Sequence, residues 1–350
     1  MTRVARCGGF GRWQGFVKLN LIGTCPTLGP PVTSGKDYLA RVAAVSRQAE
    51  DDGWEAILVY TDHRQADPWL LAQVILQSTT RLRPLVATQP VYMHPFSLAR
   101  NIATLSYLHG RQVYINMVAG GFPRDLAALG DTTPHDQRYE RLLEYVTIVH
   151  DLLGKGFSTL AGRFYDTKDL TLPPLPPELR PVVTTSGSSV AGLAVAKQVG
   201  ARAIQYLRPS YEYAARTYDP REEHGTRLGV IVRDSREEAW AVARRRFPED
   251  ADGRALRKLA VAMSDSVWVK ELDRQIRTPV GHPYSLDAYK SYKSHSPFIV
   301  GSTSEVSAEI ACYLRVGFRT FLLEQPTDAE DSRRITDVFR QAAARADASS

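Results

Sequence analysis

Eight short runs of β-branched or aliphatic residues recur along the chain, and each is followed by a longer segment with apolar residues at helical spacing. This alternation limits the fold sharply, because strand–helix–strand repeats join parallel strands. The runs fall at 17–22, 56–60, 83–87, 112–118, 182–185, 203–206, 228–232 and 320–323. Helices are predicted over about 36–52, from 69, from 95, and over 139–153, 189–199, 236–247, 304–314 and 328–344, with a hairpin at 157–172. An open doubly wound sheet more usually stops at five to seven strands, whereas eight complete a closed barrel. The expected architecture is therefore one (β/α)8 (TIM) barrel over 17–345. Residues 1–16 form an N-terminal extension, and the polar, irregular stretch 248–297 an inserted lid.

At 350 residues, 43% hydrophobic and 23% charged, the chain has enough apolar material for such a core. No stretch approaches the ~18 apolar residues of a membrane span. The apolar run among Arg3, Arg6 and Arg12 is too short for a signal peptide, so a cytoplasmic location is expected. Cys7, Cys25 and Cys312 are scattered and the eight histidines dispersed, which suggests neither a disulfide framework nor a metal site. The net charge of +6 is densest at Arg244, Arg245 and Arg246, but Glu237, Glu238 and Asp250 flank that cluster. It reads as a mixed-charge helix face and not as a nucleic-acid footprint. Neither a G-x-G-x-x-G turn nor a Walker sequence is present, so the chain offers no nicotinamide or nucleoside triphosphate site of its own.

In a parallel barrel all strands end at one face, where the chemistry is expected. Thr24, 61–67, Thr88, Gln89, 116–122, 184–189 and Arg208 should converge there. The strongest signal is TTSGSS at 184–189, passing from strand to helix. Glycine admits close approach, the hydroxyls donate, and the free N–H groups of a helix start favour a phosphate. Ser188 or Ser189 could instead simply cap the helix. The same run nearly spells G-x-S-x-G, with Ala191 in the last place, which keeps a serine hydrolase built on Ser189 as a rival. Its partners would come from Asp219 or Asp265 with His282 or His295.

HPFSLARNIATL at 94–105, GR at 110–111 and INMVAGG at 115–121 resemble the central signature of the bacterial luciferase-like flavin-dependent monooxygenases. RYER at 138–141, LAGRFY at 160–165, PVVTTSGSS at 181–189, RLGVIVR at 227–233 and Val300-Gly301, the last as the start of a helix, resemble the FMNH2-dependent alkanesulfonate monooxygenase branch. The likeness spans about 17–325. It implies that Asn116, Arg138, Tyr139, Ser186, Gly187 and Ser188 hold reduced FMN, that O2 is the co-substrate, and that a separate NAD(P)H:flavin reductase supplies the flavin. A homo-oligomer is also expected. Where that branch carries cysteine, histidine and tyrosine, this chain has Gln65, Gly229 and Pro326, so a simple alkanesulfonate is not the expected substrate. His63, Gln65 and Arg227 are the catalytic candidates, with Asp62 and Asp67 as possible orienting partners of His63 and with Lys290, Lys293 and His295 on the lid. The alternatives within the superfamily are an F420-dependent oxidoreductase and a barrel that binds flavin without turnover.

Overall fold

The computed structural model describes residues 19–29, 34–214, 223–264, 266–274 and 281–348. The strands are β1 (Asn20–Thr24), β2 (Ala56–Val59), β3 (Arg83–Thr88), β4 (Tyr114–Val118), β5 (Phe157–Ala161), β6 (Asp166–Thr171), β7 (Val183–Ser186), β8 (Arg202–Tyr206), β9 (His224–Arg233), β10 (Tyr284–Ser285), β11 (Phe298–Ser302) and β12 (Phe318–Leu323). Eight of them pair in parallel in the order β1-β2-β3-β4-β7-β8-β9-β12, and β12 returns to β1. This is the expected closed (β/α)8 barrel. Ile22, Ala56, Leu58, Leu85, Ala87, Tyr114, Ile204 and Leu322 fill its interior. Below them Glu55 takes the Tyr114 hydroxyl at 2.7 Å and Arg83 at 2.9 Å.

Local sequence fixes the helices that surround it. Ser34 accepts from Asp37 N–H to open Gly35–Asp51, and Asp67 accepts from Trp69 and Leu70 N–H to open Pro68–Ser78. Pro95 starts the helix Pro95–His109, which Gly110 ends in the left-handed region at φ 60°. Ser302 and Glu305 form a capping box on Thr303–Arg315. The expected hairpin is β5–β6, antiparallel, and its turn is held by the Glu144 carboxylate accepting from Arg163, Phe164 and Tyr165 N–H. No described helix is long and apolar enough to cross a membrane.

Three expectations about chain boundaries are corrected. The seventh stave starts at His224 and not at 228: residues 224–228 pair with β12, and 229–233 run on to pair with β11. Val300 and Gly301 belong to that additional strand, and the helix begins only at Thr303. The described residues of 248–297 include three helices, Ala251–Met263, Val267–Arg274 and Asp287–Lys290, where an irregular stretch was expected. Ala251–Met263 inverts the usual pattern, since it buries Arg257 and exposes Leu256, Leu259 and Met263. Residues 1–18, which include the proposed extension, lie outside the described residues.

Candidate active site

A cavity of about 340 Å³ opens at the C-terminal ends of the barrel strands. Its floor is the top of the barrel interior, Leu58, Ala87, Ile204 and Leu322, and its walls come from the strand-end loops and from Ser264, Ser266, Val267, Val269 and His295 of the inserted segment. Ser264 Oγ donates to the Gly121 carbonyl at 3.0 Å and so ties that segment to the loop after β4.

One wall is built from β4, β7 and the start of the helix His135–Lys155. Asn116, at 4% exposure, accepts through Oδ1 from the Thr184 and Ser186 hydroxyls, each at 3.0 Å, which fixes its amide plane at the cavity edge. The Tyr139 ring lies against the next turn: a Cβ at Gly187, where φ is +156°, would stand 2.6 Å from the Tyr139 hydroxyl, and one at Gly192 3.0 Å from its ring. His135 packs edge-on to Tyr139 at 5.2 Å and also lines the cavity. Ser189 accepts from Gly192 N–H at 3.1 Å and opens the helix Val190–Gln198. The Ser188 hydroxyl beside it is buried and has no hydrogen-bond partner among the described residues. A buried orphan donor at a helix start, beside a glycine against which only the Tyr139 hydroxyl fits, suits an anionic group such as the terminal phosphate of a flavin.

On the opposite side Tyr60, Tyr206 and Arg227 line the cavity, with Glu324 and Ser296 behind them. Arg227 Nη2 and Nε meet Glu324 Oε1 at 2.9 and 3.2 Å, the guanidinium stacks over Tyr60 at 5.1 Å, and Nη2 also donates to the Tyr60 hydroxyl. Ser296 Oγ donates to the same carboxylate at 2.7 Å. Burial pushes Glu324 up, but Arg227 and the Ser296 hydroxyl outweigh it, so the carboxyl stays below its ordinary range. Burial pushes the Tyr60 and Tyr206 phenols up, against the lowering influence of Arg227, and both remain neutral donors. His295 opens onto the cavity, yet protein crowds the ring. Burial first, then the charges of Arg227 and Arg257, lowers its pKa, leaving a neutral imidazole at pH 7.

His63, Arg227, Asn116, Tyr139, Ser186, Gly187 and Ser188 thus meet around one cavity. Arg138 is buried behind that wall, at 2% exposure. Gln65 is placed outside the cavity too, its Oε1 accepting from Leu28 N–H at 2.7 Å and bracing the loop after β1. The suggested partners of His63 are engaged elsewhere, Asp62 by Arg64 and Asp67 as a helix cap, and His63 itself packs edge-on to Tyr92 at 5.8 Å. Lys293 pairs with Asp250 at 2.6 Å, and neither it nor Lys290 lines the cavity. Arg208 pairs with Glu271 at 2.8 Å instead of entering the mouth. For the hydrolase rival, Ser189 serves as a cap, His282 lies 3.6 Å from Glu309, and Asp219 and Asp265 fall outside the described residues. Tyr60, Tyr206, His135 and Glu324 were not singled out from the sequence; Glu324, an ionisable residue directly after the eighth strand, carried the most readable signal.

Comparison with known proteins agrees with this geometry. The chain is 26% identical over 305 residues to the 4-(gamma-L-glutamylamino)butanoyl-(BtrI acyl-carrier protein) monooxygenase BtrO of Niallia circulans, covering 85% of this chain and 89% of that protein. Its fold is similar to that of a riboflavin lyase solved with modified FMN, at TM-score 0.72 and 16% identity over 93% of this chain and 92% of that one. An F420-dependent secondary alcohol dehydrogenase is also similar, at TM-score 0.65 and 17% identity over 93% and 99%. Residues 22–275 match the sequence model of the luciferase-like monooxygenases, and the chain belongs to that family.

Proposed function

We propose that this protein is the oxygenase of a two-component system: it takes reduced FMN from a separate NAD(P)H:flavin reductase and uses O2 to oxygenate a small organic substrate other than a simple alkanesulfonate. The observation that carries the reading is the Ser188 hydroxyl, buried and unpartnered at the helix start beside Gly187. Reduced FMN supplies the electrons that activate oxygen. The chain's own residues bind, orient and exclude water: Ser188 and the helix start hold the phosphate, Asn116, Ser186 and Tyr139 border the rest of the cofactor, and the inserted segment with Ser264, Val267 and His295 covers the site. His63 is the proton carrier of this reading, and Gln65 supports it by holding the adjoining loop in place.

A hydrogen bond to a charged group contributes roughly 1.5–3 kcal/mol. Ser188→Ala should therefore weaken FMNH2 binding by about tenfold or more in an anaerobic titration, and Ser188→Asp further by charge repulsion. Unchanged affinity in both variants would return Ser188 to a structural role. In the reductase-coupled reaction, His63→Ala should raise hydrogen peroxide release more than it weakens FMNH2 binding, and a fully coupled variant would remove His63 from the mechanism. The F420-dependent neighbour favours a second reading, hydride transfer from reduced F420 in the same cavity. The same titration run with reduced F420 separates the two, and tight binding of F420 with none of FMNH2 would overturn the oxygenase.

A further inference from the structure

Arg227 is the arginine on the cavity wall, and its surroundings decide whether its charge is free to meet an anion. One carboxylate oxygen of Glu324 takes both Nε and Nη2, at 3.2 and 2.9 Å, and both side chains are 17% exposed. The charge is therefore compensated inside the site. Nη1 has no protein acceptor among the described residues, so the pair still offers N–H donors.

Around this pair the charges balance. Arg257 is buried between Tyr289 and Tyr292, 4.0 and 4.6 Å from their rings, and donates to the Tyr289 and Ser294 carbonyls at 2.9 and 2.6 Å; it does not line the cavity. Two carboxylates, Asp62 and Asp125, do line it, and Asp62 has the exposed Arg64 as partner at 3.4 Å. The groups that act on His295 are correspondingly two cations, Arg227 and Arg257, and two anions, Glu324 and Asp62. An anionic group brought to Arg227 would meet no net positive field, would stand beside a fixed carboxylate, and would still have to give up its hydration. A neutral acceptor loses little hydration and gains a hydrogen bond from a charged donor.

We propose, resting on the flavin monooxygenase reading of this cavity, that its substrate is neutral at the end that meets Arg227, a carbonyl, amide or hydroxyl compound, and that the Arg227–Glu324 pair is the specificity determinant that turns carboxylates and sulfonates away. Arg227 acts as the donor of a neutral pair and not as an anion receptor.

The test compares two ligands of one chain length, hexanamide and hexanesulfonate, with their dissociation constants measured on the full chain by ligand-observed NMR. The wild type should bind the amide at least tenfold more tightly. Glu324→Gln keeps an acceptor for Arg227 and Ser296 but frees the positive charge, and should shift the ratio toward the sulfonate by at least tenfold. Arg227→Gln/Glu324→Gln, neutral at both places, should return the ratio toward the amide. Equal or tighter binding of the sulfonate by the wild type, no binding of the amide, or a ratio unmoved in a folded Glu324→Gln variant would overturn the proposal. If Glu324→Gln does not fold, the wild-type ratio still decides. A parallel anaerobic FMNH2 titration keeps the two ideas apart: a sulfonate preference with FMNH2 bound defeats only the substrate class, and an amide preference without FMNH2 binding defeats only the flavin.

Discussion

Gly187→Ala should lower the affinity for reduced FMN by about a hundredfold, roughly 2.8 kcal/mol, in a protein that still folds. Two costs coincide at this residue. At φ +156° the backbone takes a conformation that side chains rarely adopt, and the new methyl would lie 2.6 Å from the Tyr139 hydroxyl. Tyr139 is only 7% exposed and packs into the core beside the barrel, so it cannot simply swing aside. Relief must come from the loop, which would withdraw Ser188 from the phosphate. Adding Tyr139→Phe removes the oxygen that collides, and the double variant should recover part of the loss, leaving the backbone cost. Titration of the three proteins against FMNH2 checks this, and single-variant affinity equal to the wild type would show that the turn does not touch the cofactor.

Removing the Asp131 carboxylate should cost roughly 3–5 kcal/mol of folding stability, because it strands a guanidinium away from water. Asp131 Oδ2 meets Arg141 at 2.6 Å with the two side chains 7% and 13% exposed, and Oδ1 accepts from Thr133 Oγ1 at 2.6 Å. Burial alone would raise this carboxyl, but the Arg141 and Thr133 hydrogen bonds pull it from 3.8 down to about 2. A carboxylate held below its unfolded value adds stability above that value and loses it as the pH falls through the folded one. The contribution, about 2 kcal/mol, should therefore be complete above pH 5 and fade between about pH 4 and 2. Urea unfolding of the wild type and Asp131→Asn at pH 7, 4 and 2.5 tests this. The gap between them should narrow with acid, and a gap independent of pH would show that the ion pair is not its source. The pair braces the entrance to the helix that carries His135 and Tyr139, so its loss should also loosen the cavity wall those residues form.

The barrel was legible because its parallel strands are covered on both faces, which writes some of them as continuous aliphatic runs such as Ala56–Val59. Where a strand is specified by its neighbours, the sequence is mute. The first half of β9 reads His-Gly-Thr-Arg, a loop by composition, yet β8 and β12 pair with it on both sides. The helix Ala251–Met263 was hidden by its buried Arg257 and its exposed leucines. In the site, Asn116, Tyr139 and Ser186 to Ser188 were recoverable because one motif and two neighbouring strands hold them. The Arg227–Glu324 pair joins residues 97 positions apart, and only barrel closure brings them together. That pair also gives Arg227, a catalytic candidate from the sequence, a carboxylate partner that the sequence did not reveal. Gly229 tells a similar story: a Cβ there would stand 2.2 Å from the Phe298 ring, so the larger residue of the sulfonate branch has no room beside β11.

The seam between β1 and β12 sets a schedule on the ribosome. Asn20 lies opposite Thr320 and donates to its hydroxyl from 300 residues away, while Thr24 Oγ1 donates to the Leu323 carbonyl at 2.7 Å. At ordinary elongation speeds of about 5–20 residues per second, the first strand waits on the order of 15–60 s for its second neighbour. Through that interval β1 keeps an open edge, and β9 keeps another from the time it is made until β12 arrives, an arrangement prone to pairing with another chain. Glu324 emerges directly behind the last stave, so the charge that neutralises Arg227 arrives with the closure that finishes the barrel. A nascent chain halted before that point exposes both an unpaired strand edge and an uncompensated arginine.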